Sequence, residues 1–416
     1  CMGNPDIHTP HLDQLAAEGI LFRNAYTSFP VCTPYRGVLF TGRYGSQTGI
    51  TGNNKPLPRD GMTLADSLNR GGIRTSYVGK WHLGGAGNIA VPPSLRGGFQ
   101  EFIGYQCYNS YVDQVWFFDE EGVKREYQRH RTDVTTDIAI ERLSALKEKG
   151  DAFALFVSYQ NPHYPVQPSK KYADLYKNSP INRRPNAQDI DPYTKTFSPP
   201  TPNCEIDLNY MRYGGDLDEY LRLYYAMVTQ LDDNVGRLLA SLEELGLSHN
   251  TVVVFTSDHG DMQGSHGLKN KNVFWEESTR VPLIVRVPGG LQGVVKEELI
   301  GTVDLYPTLL DYAGVSIDEV AQQSGVALQS LLEGESFSPM TKGQVQHWEN
   351  EVFSEDASWH MLRRGDWKLV LDRHSLQPTH LFNLKEDPYE MNNRVEDEEV
   401  VKRDLLQRLM HYVEKF

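Results

Sequence analysis

Apolar positions along the chain repeat with two different periods. Ile20-Leu21-Phe22, residues 73–78 (Ile-Arg-Thr-Ser-Tyr-Val), 153–159 (Phe-Ala-Leu-Phe-Val-Ser-Tyr) and 251–255 (Thr-Val-Val-Val-Phe) are short runs that predict strands. The last two are nearly continuous and predict strands buried on both faces. Between them the spacing turns helical. Thr9-Pro10 before Leu12, Leu15 and Ala16 predicts a helix capped by Thr9 and ended at Gly19. Val134, Ile138, Ala139, Leu143 and Leu146 form a second stripe, and Leu221 through Leu245 a longer one closed by Gly246. Strands alternating with helices predict an α/β fold, a doubly wound and mainly parallel sheet flanked by helices. Residues 165–215, rich in Pro, Asn and Tyr, read as an irregular excursion.

From about residue 340 the rhythm changes. Segments 351–354, 360–364, 367–371 and 380–383 predict short strands with turns between them, and 397–415 a terminal helix. The expected organisation is a large α/β domain, 1–339, and a small antiparallel subdomain, 340–416. There are no internal repeats or low-complexity tracts.

With 39% hydrophobic and 11% aromatic residues, the 416-residue chain can bury a sizeable core. Its net charge of −14 argues against a nucleic-acid binder, yet leaves room for a local cationic pocket. No apolar run reaches the roughly 20 residues of a membrane helix. Four cysteines make no disulfide scaffold. Cys107 and Cys204 can pair, although two unpaired thiols are the simpler reading.

Five constellations carry chemistry. Cys32-Thr33-Pro34-Tyr35-Arg36 stands at a loop-to-helix junction, because Pro34 keeps Thr33 out of the helical region, and Arg36 lies one turn from Cys32. Asp258-His259-Gly260 follows the strand 251–255 and offers an oxygen and a nitrogen to a metal. Lys80 and His82 follow a strand, as does His163 in Asn161–Pro165. Lys271 precedes Glu276 by five residues. Singly, each has a bland reading as a buried thiol, a turn, a solvated lysine or a loop histidine. Jointly, they follow strands whose ends converge on one face of an α/β sheet, where pockets form.

Cys32–Arg36 resembles the C-x-P-x-R signature of the type I, formylglycine-dependent sulfatases of the alkaline phosphatase superfamily. Residues 3–19, 79–84, 161–165, 257–260, 271–282, 303–309 and 381–393 resemble further blocks of that family, in order over essentially the whole chain. The resemblance implies a sulfate-ester hydrolase in which Cys32 becomes formylglycine, made by a maturation enzyme. It implies that Arg36 and Lys80 hold the formylglycine oxygens, that His82 assists sulfate release, and that His163 is a candidate acid at the leaving oxygen. Lys271, preferred to Lys269 by its spacing to Glu276, would hold a sulfate oxygen. Asp258, His259 and the modified Cys32 would bind a calcium ion.

The family's first strand also carries an acidic pair of metal ligands. Cys1–Asp6 align with the loop after that pair, and the chain opens without an initiator Met or signal peptide. Cys1 is therefore expected to be internal to a longer chain rather than a lipidated first residue, and residues 1–416 alone are expected to be inactive or poorly folded. The family further implies a sulfated carbohydrate or glycosaminoglycan substrate and a place of action outside the cytoplasm: periplasmic, secreted or lysosomal. Tyr105, Tyr108, Trp116 and Trp275 are candidates to stack on sugar rings or to serve as core. Residues 85–130, 165–215 and the C-terminal subdomain are expected to choose the sugar. Two alternatives remain: a phosphonate monoester or phosphodiester hydrolase of the same superfamily, and a non-catalytic homologue that binds sulfated glycans.

Overall fold

The computed structural model describes residues 1–58, 62–188, 216–344 and 347–415. Its strands are β1 (Ile20–Tyr26), β2 (Arg74–Lys80), β3 (Glu101–Tyr105), β4 (Val115–Phe118), β5 (Lys124–Tyr127), β6 (Phe153–Ser158), β7 (Val253–Thr256), β8 (Arg280–Arg286), β9 (Val294–Gly301), β10 (Glu351–Glu355), β11 (Trp359–Arg364), β12 (Trp367–Asp372) and β13 (Pro378–Asn383). They form three sheets, in the orders β5-β4-β3-β2-β6, β7-β8-β1-β9 and β10-β11-β12-β13. The expected α/β architecture with a C-terminal antiparallel sheet is present. Parallel pairing joins β2 to β3 and β6, and β1 to β9; the other ladders are antiparallel.

The apolar runs in β6 and β7 do form strands, but both are half-buried rather than buried. Each stands at the end of its sheet among the described residues, so neither is covered by a neighbour on both sides. The helical stripes give Arg131–Lys149 and Leu217–Glu244. Asp216 caps the latter by accepting from the Asp218 and Glu219 amides.

The first helix, Pro10–Glu18, is not capped by Thr9, whose side chain makes no cap bond. The carboxylate of Asp232 replaces it, accepting from the amides of His11 at 3.1 Å and Leu12 at 2.8 Å. The residue that caps this helix thus comes from the long helix 217–244 packed against it. The 165–215 excursion contains a short helix, Lys170–Tyr176, whose Tyr172 and Tyr176 are buried. The rest of that stretch beyond Gln188, with Cys204, lies outside the described residues. Cys107 is a free thiol.

The C-terminal sheet is welded to the rest of the chain. Phe353, Leu362, Leu369 and Leu381 are cross-strand neighbours along its register. They pack with Leu405 and Leu409 of the last helix, Glu399–Val413, and with Val38 and Val303. Val352, Met361 and Val370 pack with Tyr26 and Leu299. Among the described residues, no helix is long and apolar enough to cross a membrane.

Candidate active site

Val31 is extended and Cys32 opens the helix Cys32–Thr41; Thr33 is helical despite preceding Pro34, which stands in the first turn where its missing N–H costs no helix bond, and the sulfur sits at the end where free amide N–H groups face outward. Gly42 closes that helix in the left-handed conformation. The helix start is buried, with Cys32 only 2% exposed.

Four groups converge on this sulfur. His259 Nε2 lies 3.3 Å away and Lys80 Nζ 3.5 Å away. His82 and Lys271 interact with it electrostatically. Burial by itself would raise the Cys32 thiol, but Lys80, Lys271 and His259 hold it well below the usual thiol range.

Arg36 is fixed from several sides. Its Nη1 donates to Lys80 O at 2.7 Å, Ser158 Oγ at 2.8 Å and Tyr77 Oη at 3.0 Å. Its Nη2 lies 3.7 Å from Asp258 Oδ2. Neither Tyr77 nor Ser158 belongs to a recognisable motif, although both stand on the strands that deliver the site. Gly79 makes their approach possible. It has φ +112°, and a Cβ there would lie 2.1 Å from Ser158 O.

Lys271 Nζ meets His163 Nε2 at 3.2 Å, while His163 Nδ1 donates to Tyr164 O at 2.7 Å. Lys271, rather than Lys269, makes this contact. Burial, then Lys271 and Lys80, push His163 well below the usual imidazole range, so it is neutral. Burial likewise lowers His82. His259 is raised: burial opposes its charge, but Asp258 beside it prevails.

The turn 258–260 is placed by close packing. Gly260 N–H donates to Ser278 O at 2.9 Å, and a Cβ at Gly260 would lie 1.9 Å from Glu277 O. Cys32, Arg36, Lys80, His82, His163, Asp258, His259 and Lys271 thus share one cluster. Three lysine or arginine side chains face the single carboxylate of Asp258 within it. The Arg36 Nε and His82 Nδ1 atoms are buried without partners. This arrangement suits an oxyanion, which brings negative charge and accepts from otherwise unmatched donors.

Asp258, His259 and Cys32 place one ligand atom each within 4.8 Å of one another. Calcium takes six to eight oxygens, and this set supplies one carboxylate, one imidazole and a sulfur. These residues by themselves do not complete a calcium shell.

Residues 1–315 match the family described as Sulfatase, and residues 264–415 match the family described as N-sulphoglucosamine sulphohydrolase, C-terminal. The chain is 29% identical to an ulvan-active sulfatase of Formosa agariphila, over 94% of this chain and 73% of that one. It is 28% identical to an N-acetylglucosamine-6-O-sulfatase of Bacteroides thetaiotaomicron, over 94% and 79%. A crystal structure from Bacteroides fragilis named as a sulfatase superposes with a TM-score of 0.86 at 27% identity, covering 100% of this chain and 92% of that one. The chain belongs to the sulfatase family of the alkaline phosphatase superfamily, and it is a sulfuric ester hydrolase.

Proposed function

We propose that this protein removes sulfate from a sulfated carbohydrate, using a formylglycine made from Cys32 by a maturation enzyme. The observation that carries the reading is the convergence of Arg36, Lys80 and Lys271 on the buried start of the Cys32 helix. The glycan preference is supported by relatives whose names specify ulvan and N-acetylglucosamine-6-O-sulfate esters. Hydrated formylglycine supplies one hydroxyl to attack sulfur and a second whose deprotonation expels sulfate and restores the aldehyde.

The chain's own residues do the rest. Arg36 is locked by Tyr77, Ser158 and the Lys80 carbonyl, so its charge is preorganised at the nucleophile. Lys80 sits on the other flank and balances the developing negative charge. His82, neutral through burial, can take a proton from the residue at position 32. Lys271 offers its N–H groups to a sulfate oxygen.

His163 is neutral in the unliganded site, with its Nε2 already accepting from Lys271. Anionic sulfate placed among these cations opposes the push on His163. Its Nε2 can then carry the proton that the leaving alcohol needs. Asp258 and His259 are the candidate ligands for a divalent ion, and no step above depends on one.

Residues 1–339 carry this chemistry, and 340–416 form a subdomain that helps to choose the sugar. The place of action is outside the cytoplasm, as in the family it resembles. The test is to compare the matured full-length protein on an aryl sulfate and on the matching aryl phosphonate monoester. The sulfate should be hydrolysed with the higher kcat/KM. A preference for the phosphonate would move the protein to the phosphonate-hydrolase reading.

A further inference from the structure

Lys271 stands in an unusual stretch of backbone. Its neighbours Asn270 and Asn272 both take the left-handed conformation, with φ +63° and +74°. Asparagine enters that region more readily than most residues, yet still at a cost. Two such residues around one lysine persist only where other groups fix the chain.

Three anchors fix it. On the near side, the Asn270 N–H donates to Asp261 Oδ1 at 3.0 Å, and the Asn270 carbonyl accepts from the Met262 N–H at 2.7 Å. The other two anchors come from the C-terminal sheet. The indole N–H of Trp359, on β11, donates to the Asn272 carbonyl at 3.2 Å. Trp359 is 5% exposed and packed among Tyr26, Leu299, Met361 and Val370, so this donor is held in place. Further on, the buried Lys368 of β12 reaches Glu276 Oε1 at 3.1 Å and Glu390 Oε1 at 2.7 Å. The Glu276 N–H donates to Glu390 Oε2 at 2.7 Å. The chain that leaves Lys271 is thus gripped by the C-terminal sheet one and five residues later.

This grip bears on the Lys271 side chain. Its Nζ meets His163 Nε2 at 3.2 Å and acts by charge on Cys32. A turn of the backbone at Asn272 would swing the lysine stem and carry Nζ away from both, and small misplacements of a binding group are costly.

We propose that Trp359 is a positioning residue: its indole N–H sets the backbone at Asn272 and so aims Lys271 at the sulfate oxygen. This rests on the role given to Lys271 above. It gives the C-terminal sheet a part in building the active site, besides the choice of sugar.

The experiment reads binding of inorganic sulfate to the full-length protein by calorimetry, beside kcat and KM on an aryl sulfate for the matured form. Trp359→Phe keeps an aromatic ring and removes the donor. It should weaken sulfate and raise KM by about tenfold, the scale of one hydrogen bond, with kcat changed less. In a Lys271→Ala background Trp359→Phe should add nothing, a result that a general loosening of the fold would not give. Asn272 supplies an independent pair if Trp359→Phe does not fold. Asn272→Val, disfavoured at positive φ, should weaken sulfate by a similar factor, whereas Asn272→Gly should bind it as wild type does. Additive losses in the double variant, or unchanged sulfate binding in Trp359→Phe or Asn272→Val, overturn the proposal. If wild type binds no sulfate, or Lys271→Ala binds it like wild type, the role given to Lys271 fails and the proposal with it. If the matured protein turns over no sulfate ester, the sulfatase reading fails, and the binding measurements still decide how Lys271 is positioned.

Discussion

Cys32 lies in a field set by residues far away in sequence: Lys80, His259 and Lys271. Its replacement by Ala should abolish sulfate-ester hydrolysis, a loss of at least about a thousandfold, while circular dichroism stays unchanged. Residual activity near wild type would show that another group is the nucleophile. His163, which burial, Lys271 and Lys80 hold neutral, makes a finer prediction as the proposed proton donor. His163→Ala should slow esters with poor alcohol leaving groups by about a hundredfold and activated aryl sulfates far less. Equal losses on both would remove it as the proton donor. The motif residues were legible in the sequence because strand ends in an α/β fold converge. Tyr77 and Ser158, which lock Arg36, were not, since a tyrosine and a serine on strands carry no mark of their partner until the strands are paired.

At the scale of elements, the strands and long helices followed from periodicity, and the detail that failed was non-local. Thr9 has the residue type and position of an N-cap, yet Asp232 does the capping from another helix. Asp232→Ala should therefore cost about 1.5–3 kcal/mol, the range for hydrogen bonds to a charged group, whereas Thr9→Ala should cost less. Denaturant unfolding of both variants checks the order, and the reverse order would return the cap to Thr9. The half-burial of β6 and β7 was equally hidden, because an apolar run reports what a strand can bury and not how many neighbours it has.

Across the whole molecule, buried carboxylates tie stability to pH. Asp304 accepts from the Gly301 amide at 2.7 Å and the Glu335 amide at 2.9 Å, joining the end of β9 to the segment around 335. Burial outweighs these two donors and pushes its carboxyl up to about 7. The folded protein therefore keeps this proton where the unfolded chain, with a carboxyl near its ordinary value, has lost it. Its contribution to stability is fullest at low pH and declines as pH rises towards 7, by up to about 1.4 kcal/mol per pH unit. Asp304→Asn removes this dependence. The melting temperature of wild type relative to the variant should fall between pH 4 and 7, and a constant or rising difference would show that Asp304 is ionised when folded.

The central claim is that the catalytic cluster surrounds a modified Cys32. The most direct measurement is the mass of the tryptic peptide Asn24–Arg36 from the full-length protein, produced with a formylglycine-generating enzyme. The account predicts an aldehyde in place of the Cys32 thiol. An intact thiol, under conditions that convert a control sulfatase, would contradict it.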